Sequence, residues 1–115
     1  MKPEDAKKIR EIDKQYVWHP FTPMKDWLED EPLVIESGEG AWLYDVDGNR
    51  YLDGISSLWT NVHGHRHPMI DEAVRSQLDK IAHSTLLGFA NVPSAVFAEK
   101  LIKIAPEGLV RVFYS

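Results

Sequence analysis

The sequence contains no cysteine among its 115 residues. That absence excludes disulfides and thiol chemistry, and it favours a reducing compartment. No apolar run approaches the roughly 20 residues that a transmembrane helix needs. The charged N-terminal stretch MKPEDAKKIREIDKQ also lacks the apolar core of a signal peptide. We therefore expect a cytoplasmic protein with no membrane partner.

Positive charge is scarce as well, with 13 Lys and Arg against 18 Asp and Glu and a formal net charge of -5. No basic stripe stands out, so we expect no nucleic-acid partner. Internal repeats and low-complexity tracts are missing, and GEG is too short for a glycine-rich phosphate loop. What remains is an ordinary globular composition, 43% hydrophobic and 27% charged, in a chain long enough for one domain or a piece of one.

Local patterns predict an α+β chain built around a small sheet. The runs LVIES, AWLYDV and RYLDGI, separated by the turn signals GEG and DGN, predict a three-stranded antiparallel meander over residues 33–55. Prolines at first-turn positions and apolar stripes predict helices over three stretches: residues 3–14, residues 68 to about 82, and residues 93 to about 105. Pro20 and Pro23 exclude a helix interior, so residues 16 to about 30 should be irregular.

The C-terminal residues LVRVFYS predict the beginning of a β-strand. Because that strand would run to the last residue without a cap or polar tail, we expect a chain interrupted within a larger fold. An unpaired strand edge of this kind also predicts aggregation or strand exchange.

The stretch DVDGN could suggest a calcium site, because Asp45, Asp47 and Asn49 alternate oxygen-bearing side chains. In an EF-hand loop, however, glycine is needed at the sixth position, and here Gly48 stands fourth and Arg50 stands sixth. We therefore interpret the stretch as a hairpin turn.

The stretch HGHRH places His63, His65 and His67 at alternate positions, and imidazoles suit zinc or nickel. Gly64 and Pro68 favour a bend over the flat strand that would align the three rings. Hydrogen bonding within a loop and capping of the next helix are therefore the preferred interpretation, with a histidine metal site as the alternative.

Two further patterns are weaker. Ser56 and Ser57 near His63 could suggest a hydrolase, but neither serine lies in a nucleophile-elbow context and no orienting acid is evident. Tryptophans can stack on substrates, although a single tryptophan more often packs in a core or interface. The four tryptophans are Trp18, Trp27, Trp42 and Trp59.

Four stretches together resemble one enzyme family: WHPFTPMKDW, GISSLWTNVHGHRHP, AHSTLLGFANVP and VRVFYS. From about Tyr16 to Ser115 the chain is similar to the N-terminal part of the adenosylmethionine-8-amino-7-oxononanoate aminotransferases of biotin synthesis. These are class-III pyridoxal-phosphate enzymes of fold type I. The WHP(F/Y)T and SS-x-W signatures are specific within that group, whereas GH-x-HP is shared more widely. The resemblance implies a homodimeric transaminase that acts on small molecules and makes 7,8-diaminononanoate from 8-amino-7-oxononanoate.

The resemblance also implies that Phe21, Leu58 and Trp59 are substrate-binding residues. In such enzymes the N-terminal segment covers the active-site entrance, and its aromatic residues help form the pocket for a long apolar substrate. Members that use S-adenosylmethionine carry Tyr at the position of Phe21 and Trp at the position of Leu58. These two departures keep both S-adenosylmethionine and lysine open as the amino donor.

By the same resemblance, this chain holds no catalytic or cofactor-binding residue, and from the residue patterns above we expect no metal-binding residue. In the family the strand VFYS runs into DSG, which holds the phosphate of pyridoxal phosphate at a helix N-terminus. The Schiff-base lysine and the aspartate that pairs the pyridine nitrogen lie far downstream. Four lysines match none of the family's lysine positions, so we expect the chain alone to be inactive; they are Lys25, Lys80, Lys100 and Lys103.

The implied domain organisation has three parts. Residues 1–30 form an N-terminal helix and a segment that covers the active site, residues 31–105 belong to the small domain, and residues 106–115 begin the large cofactor-binding domain. Two alternatives remain: a class-III aminotransferase for another amine or keto acid, and a non-catalytic interaction module whose exposed apolar loops bind a partner.

Overall fold

The computed structural model describes residues 1–114 of the chain, which divide into two compact units, Met1–Glu72 and the residues from Ala73 onward. In chain order the elements are α1 (Pro3–Tyr16), α2 (Met24–Glu29), β1 (Ile35–Glu39), β2 (Trp42–Asp45), β3 (Arg50–Leu52), α3 (Ser56–Trp59), α4 (Pro68–Leu78) and α5 (Val92–Ile104). The predicted class, an antiparallel three-stranded meander plus helices, is confirmed. No helix within residues 1–114 is long and apolar enough to cross a membrane.

The sheet of the first unit has β2 at its centre, antiparallel to both neighbours. At the β1–β2 hairpin Glu39 lies opposite Trp42, and at the β2–β3 hairpin Tyr44 lies opposite Arg50. A register irregularity between Ile35 and Ser37 bends the outer end of β1. The meander therefore forms where local turn signals predicted it.

The turn DVDGN is organised by the buried carboxylate of Asp45, which is 3% exposed. Asp45 accepts hydrogen bonds from the backbone amides of Asp47 and Asn49 at 3.0 and 2.8 Å, from Asn49 Nδ2 at 3.0 Å and from Tyr51 Oη at 2.9 Å. The side-chain hydrogen bond from Asn49 lowers the pKa of Asp45 to about 2, with further lowering by Tyr51 and opposition from burial. These bonds use the carboxylate within the turn, and the hairpin interpretation is confirmed.

Helix α1 begins at Pro3 with Glu4 and Asp5 in its first turn and is two residues longer than predicted. The side chain of Arg10 fastens it to the meander by donating to Pro32 O at 3.2 Å and by pairing with Asp47. Among residues 1–114, the buried apolar side chains are Ala6 and Val46.

Helix α2 was not predicted, because the prolines before it indicated an irregular segment. Pro23 instead takes the N-cap position, where its fixed φ of -66° fits and its carbonyl accepts from Trp27 N at 3.1 Å. The following residues, MKDWLE, are compatible with a short helix once the prolines lie outside it.

In the second unit α4 ends at Leu78, about four residues before the predicted end. The backbone amides of Lys80 and Ile81 both donate to Gln77 O, at 3.1 and 2.9 Å, and this tight turn redirects the chain. Helix α5 begins at Val92, where the side chain of Asn91 accepts from the amide of Ser94 at 3.0 Å.

The predicted C-terminal strand is not formed in residues 109–114, and Ser115 lies outside the described residues. A strand needs a neighbour to complete its hydrogen-bond ladder, and no other strand of the described chain pairs with this segment. Tyr114 instead donates its hydroxyl to Ser94 O at 2.6 Å and stacks on Phe97 with ring centroids 6.4 Å apart.

Candidate functional site

The turn α3 is wound in the left-handed sense although it contains no glycine. All four φ angles are positive, at 51°, 47°, 62° and 69° for Ser56, Ser57, Leu58 and Trp59. Backbone hydrogen bonds close the turn from Trp59 N to Ile55 O at 2.9 Å and from Thr60 N to Ser56 O at 3.0 Å. A left-handed conformation costs an L-residue roughly 1–2 kcal/mol, so contacts outside the turn must hold it.

The carboxylate of Asp53 supplies those contacts. One oxygen accepts from the backbone amide of Ser57 at 2.8 Å, and the other accepts from the Ser57 hydroxyl and from His65 Nε2, both at 2.8 Å. The Asp53 side chain is only 5% exposed. The amide of Ser57, followed by its hydroxyl, lowers the pKa of Asp53 below its ordinary value, so the carboxylate is charged at neutral pH.

His65 links this carboxylate to the meander. Because its Nε2 faces a carboxylate, that nitrogen carries the hydrogen, and Nδ1 accepts from Asn61 Nδ2 at 3.0 Å. The backbone of His65 pairs with Gly40 in both directions, at 3.0 and 2.8 Å. A Cβ added at Gly64, whose φ is +78°, would come 2.9 Å from Gly40 O. Glycine is thus required for this close approach.

Phe21 lies on a different segment of the same unit, and it too has a positive φ, 51°. Asp13 of α1 fixes the base of this segment, accepting from His19 Nε2 at 3.1 Å and from Trp27 Nε1 at 2.9 Å. The rings of His19 and Trp27 are tilted against each other with centroids 4.3 Å apart. The phenyl ring of Phe21 itself is fully exposed.

The three predicted substrate-binding residues are therefore apolar, exposed and placed on left-handed backbone. Leu58 and Trp59 occupy one turn and are 62% and 81% exposed, while Phe21 is on the separate segment. Backbone in such sparsely populated conformations clusters at functional sites. Contact of these residues with substrate stays a prediction.

The histidines of HGHRH do not converge. His63 meets His67 edge-on with centroids 5.9 Å apart, whereas His65 is bonded to Asp53. The described part of the chain has no group of three His, Asp or Glu side chains placed to hold a metal ion. The hydroxyl of Ser57 donates to Asp53, so the serine and histidine pattern is not arranged as a hydrolase site.

The tryptophans fall into two classes. Trp27 packs on His19, and Trp42 lies under the guanidinium of Arg50, 4.4 Å from ring centroid to carbon. Trp18 and Trp59 are 88% and 81% exposed. Packing thus accounts for the first pair, and the second pair is available to a ligand.

A cavity of about 500 Å³ lies within the second unit, between the end of α4 and the start of α5. The polar residues that line it are Gln77, Lys80, His83, Ser84 and Asn91. Pyridoxal phosphate needs a lysine for its imine, a carboxylate at its pyridine nitrogen and a cradle for its phosphate. The cavity has one lysine and no carboxylate, and Asn91 already accepts from the amide of Ser94. This cavity thus does not form a complete site for the cofactor.

Sequence reasoning missed Asp13 and Asp53, the two carboxylates that hold the candidate substrate-binding segments. The spacing from Asp53 to Ser57 is typical of an Asp side chain that bonds nearby backbone. No residue pattern, however, indicates a left-handed turn without glycine.

Comparison with known proteins shows which family the chain belongs to. The aminotransferase class-III family profile matches residues 24–115. A relative from Nitratidesulfovibrio vulgaris, an adenosylmethionine-8-amino-7-oxononanoate aminotransferase, is 62% identical over 94% of this chain and 20% of its own length.

Solved structures agree with the family match. The enzyme of that same name from Methanocaldococcus jannaschii superposes with a TM-score of 0.91 at 51% identity, over 96% of this chain and 25% of its own. The omega transaminase of Pseudomonas jessenii superposes with a TM-score of 0.82 at 32% identity, over 90% of this chain and 23% of its own. The chain thus spans about a fifth to a quarter of the length of these relatives. With the profile match covering most of its residues, the chain belongs to the class-III aminotransferase family.

Proposed function

We propose that this chain is the N-terminal part of an aminotransferase that converts 8-amino-7-oxononanoate to 7,8-diaminononanoate in biotin synthesis. The observation that carries the proposal is the 62% identity, over 94% of the chain, to a relative named for that acceptor. The similar omega transaminase is only 32% identical. Since the fold is shared by both kinds of enzyme, the difference in identity favours the biotin-synthesis substrate.

Within that enzyme, Phe21, Leu58 and Trp59 would be walls of the substrate pocket. Ligand pockets are lined mainly by apolar and aromatic side chains, and the acceptor carries a long apolar chain. All three side chains are exposed in residues 1–114 and are available to cover such a ligand.

The amino donor would be S-adenosylmethionine, with lysine as the alternative. The relatives' names support the first. Leu58 supports the second, because a leucine side chain offers no aromatic face for stacking on adenine. Replacing Phe21 by Tyr and Leu58 by Trp should then shift preference toward S-adenosylmethionine. An unchanged preference would remove these two residues from donor selection.

The cofactor of the intact enzyme would be pyridoxal phosphate, as class-III membership implies. When bound it supplies the imine and electron sink of amino transfer, and we assign it to residues outside this chain. Residues 1–30 would cover the active site, residues 31–105 would belong to the small domain and residues 106–115 would begin the cofactor domain.

The intact enzyme would be a cytoplasmic homodimer. Support for a partner surface comes from the small core, since Ala6 and Val46 are the buried apolar side chains within residues 1–114. Large apolar side chains remain exposed in both units, as in Trp18 and Phe113. Further protein surface, from the rest of the enzyme or a second subunit, would cover them.

The test is an assay of the intact enzyme, purified with pyridoxal phosphate. It is supplied with 8-amino-7-oxononanoate and either S-adenosylmethionine or lysine, and 7,8-diaminononanoate is measured by mass spectrometry. Product with either donor supports the proposal and identifies the donor. Amino transfer to other keto acids without any 7,8-diaminononanoate would overturn it in favour of a different class-III transaminase.

A further inference from the structure

The left-handed winding of α3 determines where its two apolar side chains point. A right-handed turn with the same residues would direct Leu58 and Trp59 along different vectors, because handedness reverses the rotation between successive side chains. Four consecutive residues without glycine do not hold this winding by intrinsic preference. Whatever stabilises the winding therefore also sets the position of the predicted pocket wall.

Asp53 is the group that connects this turn to His65. Its one oxygen accepts from the amide of Ser57, in the middle of the turn, and its other oxygen accepts from Ser57 Oγ and His65 Nε2. His65 is in turn paired through its backbone with Gly40 in the β1–β2 hairpin. The carboxylate thus ties the turn to the sheet through a short chain of hydrogen bonds.

We propose that Asp53 is a positioning residue for the transaminase, holding α3 left-handed so that Leu58 and Trp59 face the substrate. The inference rests on the proposed pocket role of those two residues. Asp53 does not itself reach a ligand, because its side chain is 5% exposed and both oxygens are occupied. Its effect passes through the turn.

The first test uses kinetics of the intact enzyme. Asp53→Ala should raise KM for 8-amino-7-oxononanoate by about tenfold or more while kcat changes much less, since the reacting groups are untouched. Asp53→Asn should recover part of the loss, because an amide oxygen still accepts from the amide of Ser57. Ser57→Ala removes one hydrogen bond and leaves the carboxylate, so it should raise KM less than either Asp53 variant. It replaces Asp53→Ala as the test if that variant does not fold.

The matched control is Asp45→Asn. Asp45 is also a buried carboxylate of the first unit, with four hydrogen bonds to its own hairpin. This variant should lower the melting temperature and leave KM within about twofold of the wild type. If the Asp53 and Asp45 variants alter KM equally, the positioning role is overturned.

A second readout does not depend on activity. In protein labelled with 5-fluorotryptophan, the resonance of Trp59, assigned with Trp59→Phe, should move in Asp53→Ala and stay in place in Asp45→Asn. A resonance that does not move in Asp53→Ala overturns the proposal that Asp53 positions the turn. A moved resonance with unchanged KM overturns the pocket role of Leu58 and Trp59, and this separates failure of the inference from failure of the proposed function.

Discussion

The segment of Phe21 and the turn α3 present apolar side chains in two different ways. In the first, a single left-handed residue follows a base fixed by side-chain contacts among Asp13, His19 and Trp27. In the second, four left-handed residues are held by a carboxylate that accepts from the backbone itself. We expect the first segment to be the more adjustable, because a single left-handed residue lies beyond its fixed base, whereas the bonded turn α3 is preformed. A pocket built from both would combine an adaptable cover with a rigid wall.

The largest expected effect comes from breaking the rigid wall with proline. Leu58→Pro should cost about 3 kcal/mol or more of stability, because proline holds φ near -65° and the turn requires 62° at this residue. Phe21→Pro meets the same conflict at a φ of 51°, but it should cost less because one left-handed residue would rearrange instead of four. Thermal unfolding of the intact enzyme measures both. Leu58→Ala is the control, because it removes the exposed side chain and retains the freedom of the backbone to adopt a positive φ. An equal loss of stability in Leu58→Ala would argue against backbone strain as the cause.

The next effect sharpens the comparison through substrate affinity. Trp59→Ala should raise KM for the acceptor about tenfold or more, because a preformed aromatic wall loses its buried contact area. Phe21→Ala should raise KM by only about threefold, since an adjustable segment has already lost part of its contact energy to ordering. Trp42→Phe, beneath the guanidinium of Arg50, is the control. A reversed order of the two effects would contradict the assignment of rigid and adaptable segments.

The meander could be predicted from short stretches of sequence, because its turn residues and its strand-forming runs each span only a few positions. The handedness of α3 is held instead by Asp53, four residues before Ser57, and by His65, and no residue pattern over these positions indicates a left-handed turn. Helix α2 was missed because proline is a helix breaker in the interior, whereas Pro23 acts as a cap. The C-terminal strand was predicted from composition, but a ladder needs a second strand.

Among the candidate site residues, the sequence resemblance located the exposed apolar side chains but not the carboxylates that hold their segments in place. The resemblance pointed to Leu58 and Trp59 through the SS-x-W signature. It did not point to Asp53, whose importance comes from a nearly buried position and from three hydrogen bonds. A carboxylate of this kind is recognised from the contacts that satisfy its oxygens.

A smaller effect is the pH dependence of stability, which distinguishes Asp53 at the turn α3 from Asp45 in the hairpin. The pKa of Asp53 is lowered in the folded chain by Ser57. Its stabilisation is therefore fully present above the ordinary value of 3.8 and is lost as pH falls below it. Melting temperatures between about pH 5 and about pH 3 should fall less steeply in Asp53→Asn than in the wild type. The carboxylate of Asp45 has a pKa of about 2, so it should keep its stabilising contribution to lower pH. The melting temperature of Asp45→Asn should therefore stay below that of the wild type until the pH approaches that value. A slope unchanged in both variants would contradict these shifts.

The smallest effect tests whether α3 stores strain at all. Ser56→Gly should stabilise the enzyme by about 0.5–1 kcal/mol, because glycine adopts a φ of 51° without the steric cost while losing some entropy on folding. Ser37→Gly is the matched control, since Ser37 lies in the extended strand β1, and there glycine should destabilise by a similar amount. Chemical denaturation of the two variants compares the signs directly. If both serines lose stability on replacement by glycine, the left-handed turn is not strained at Ser56, and the comparison between a rigid wall and an adaptable cover must rest on Asp53 alone.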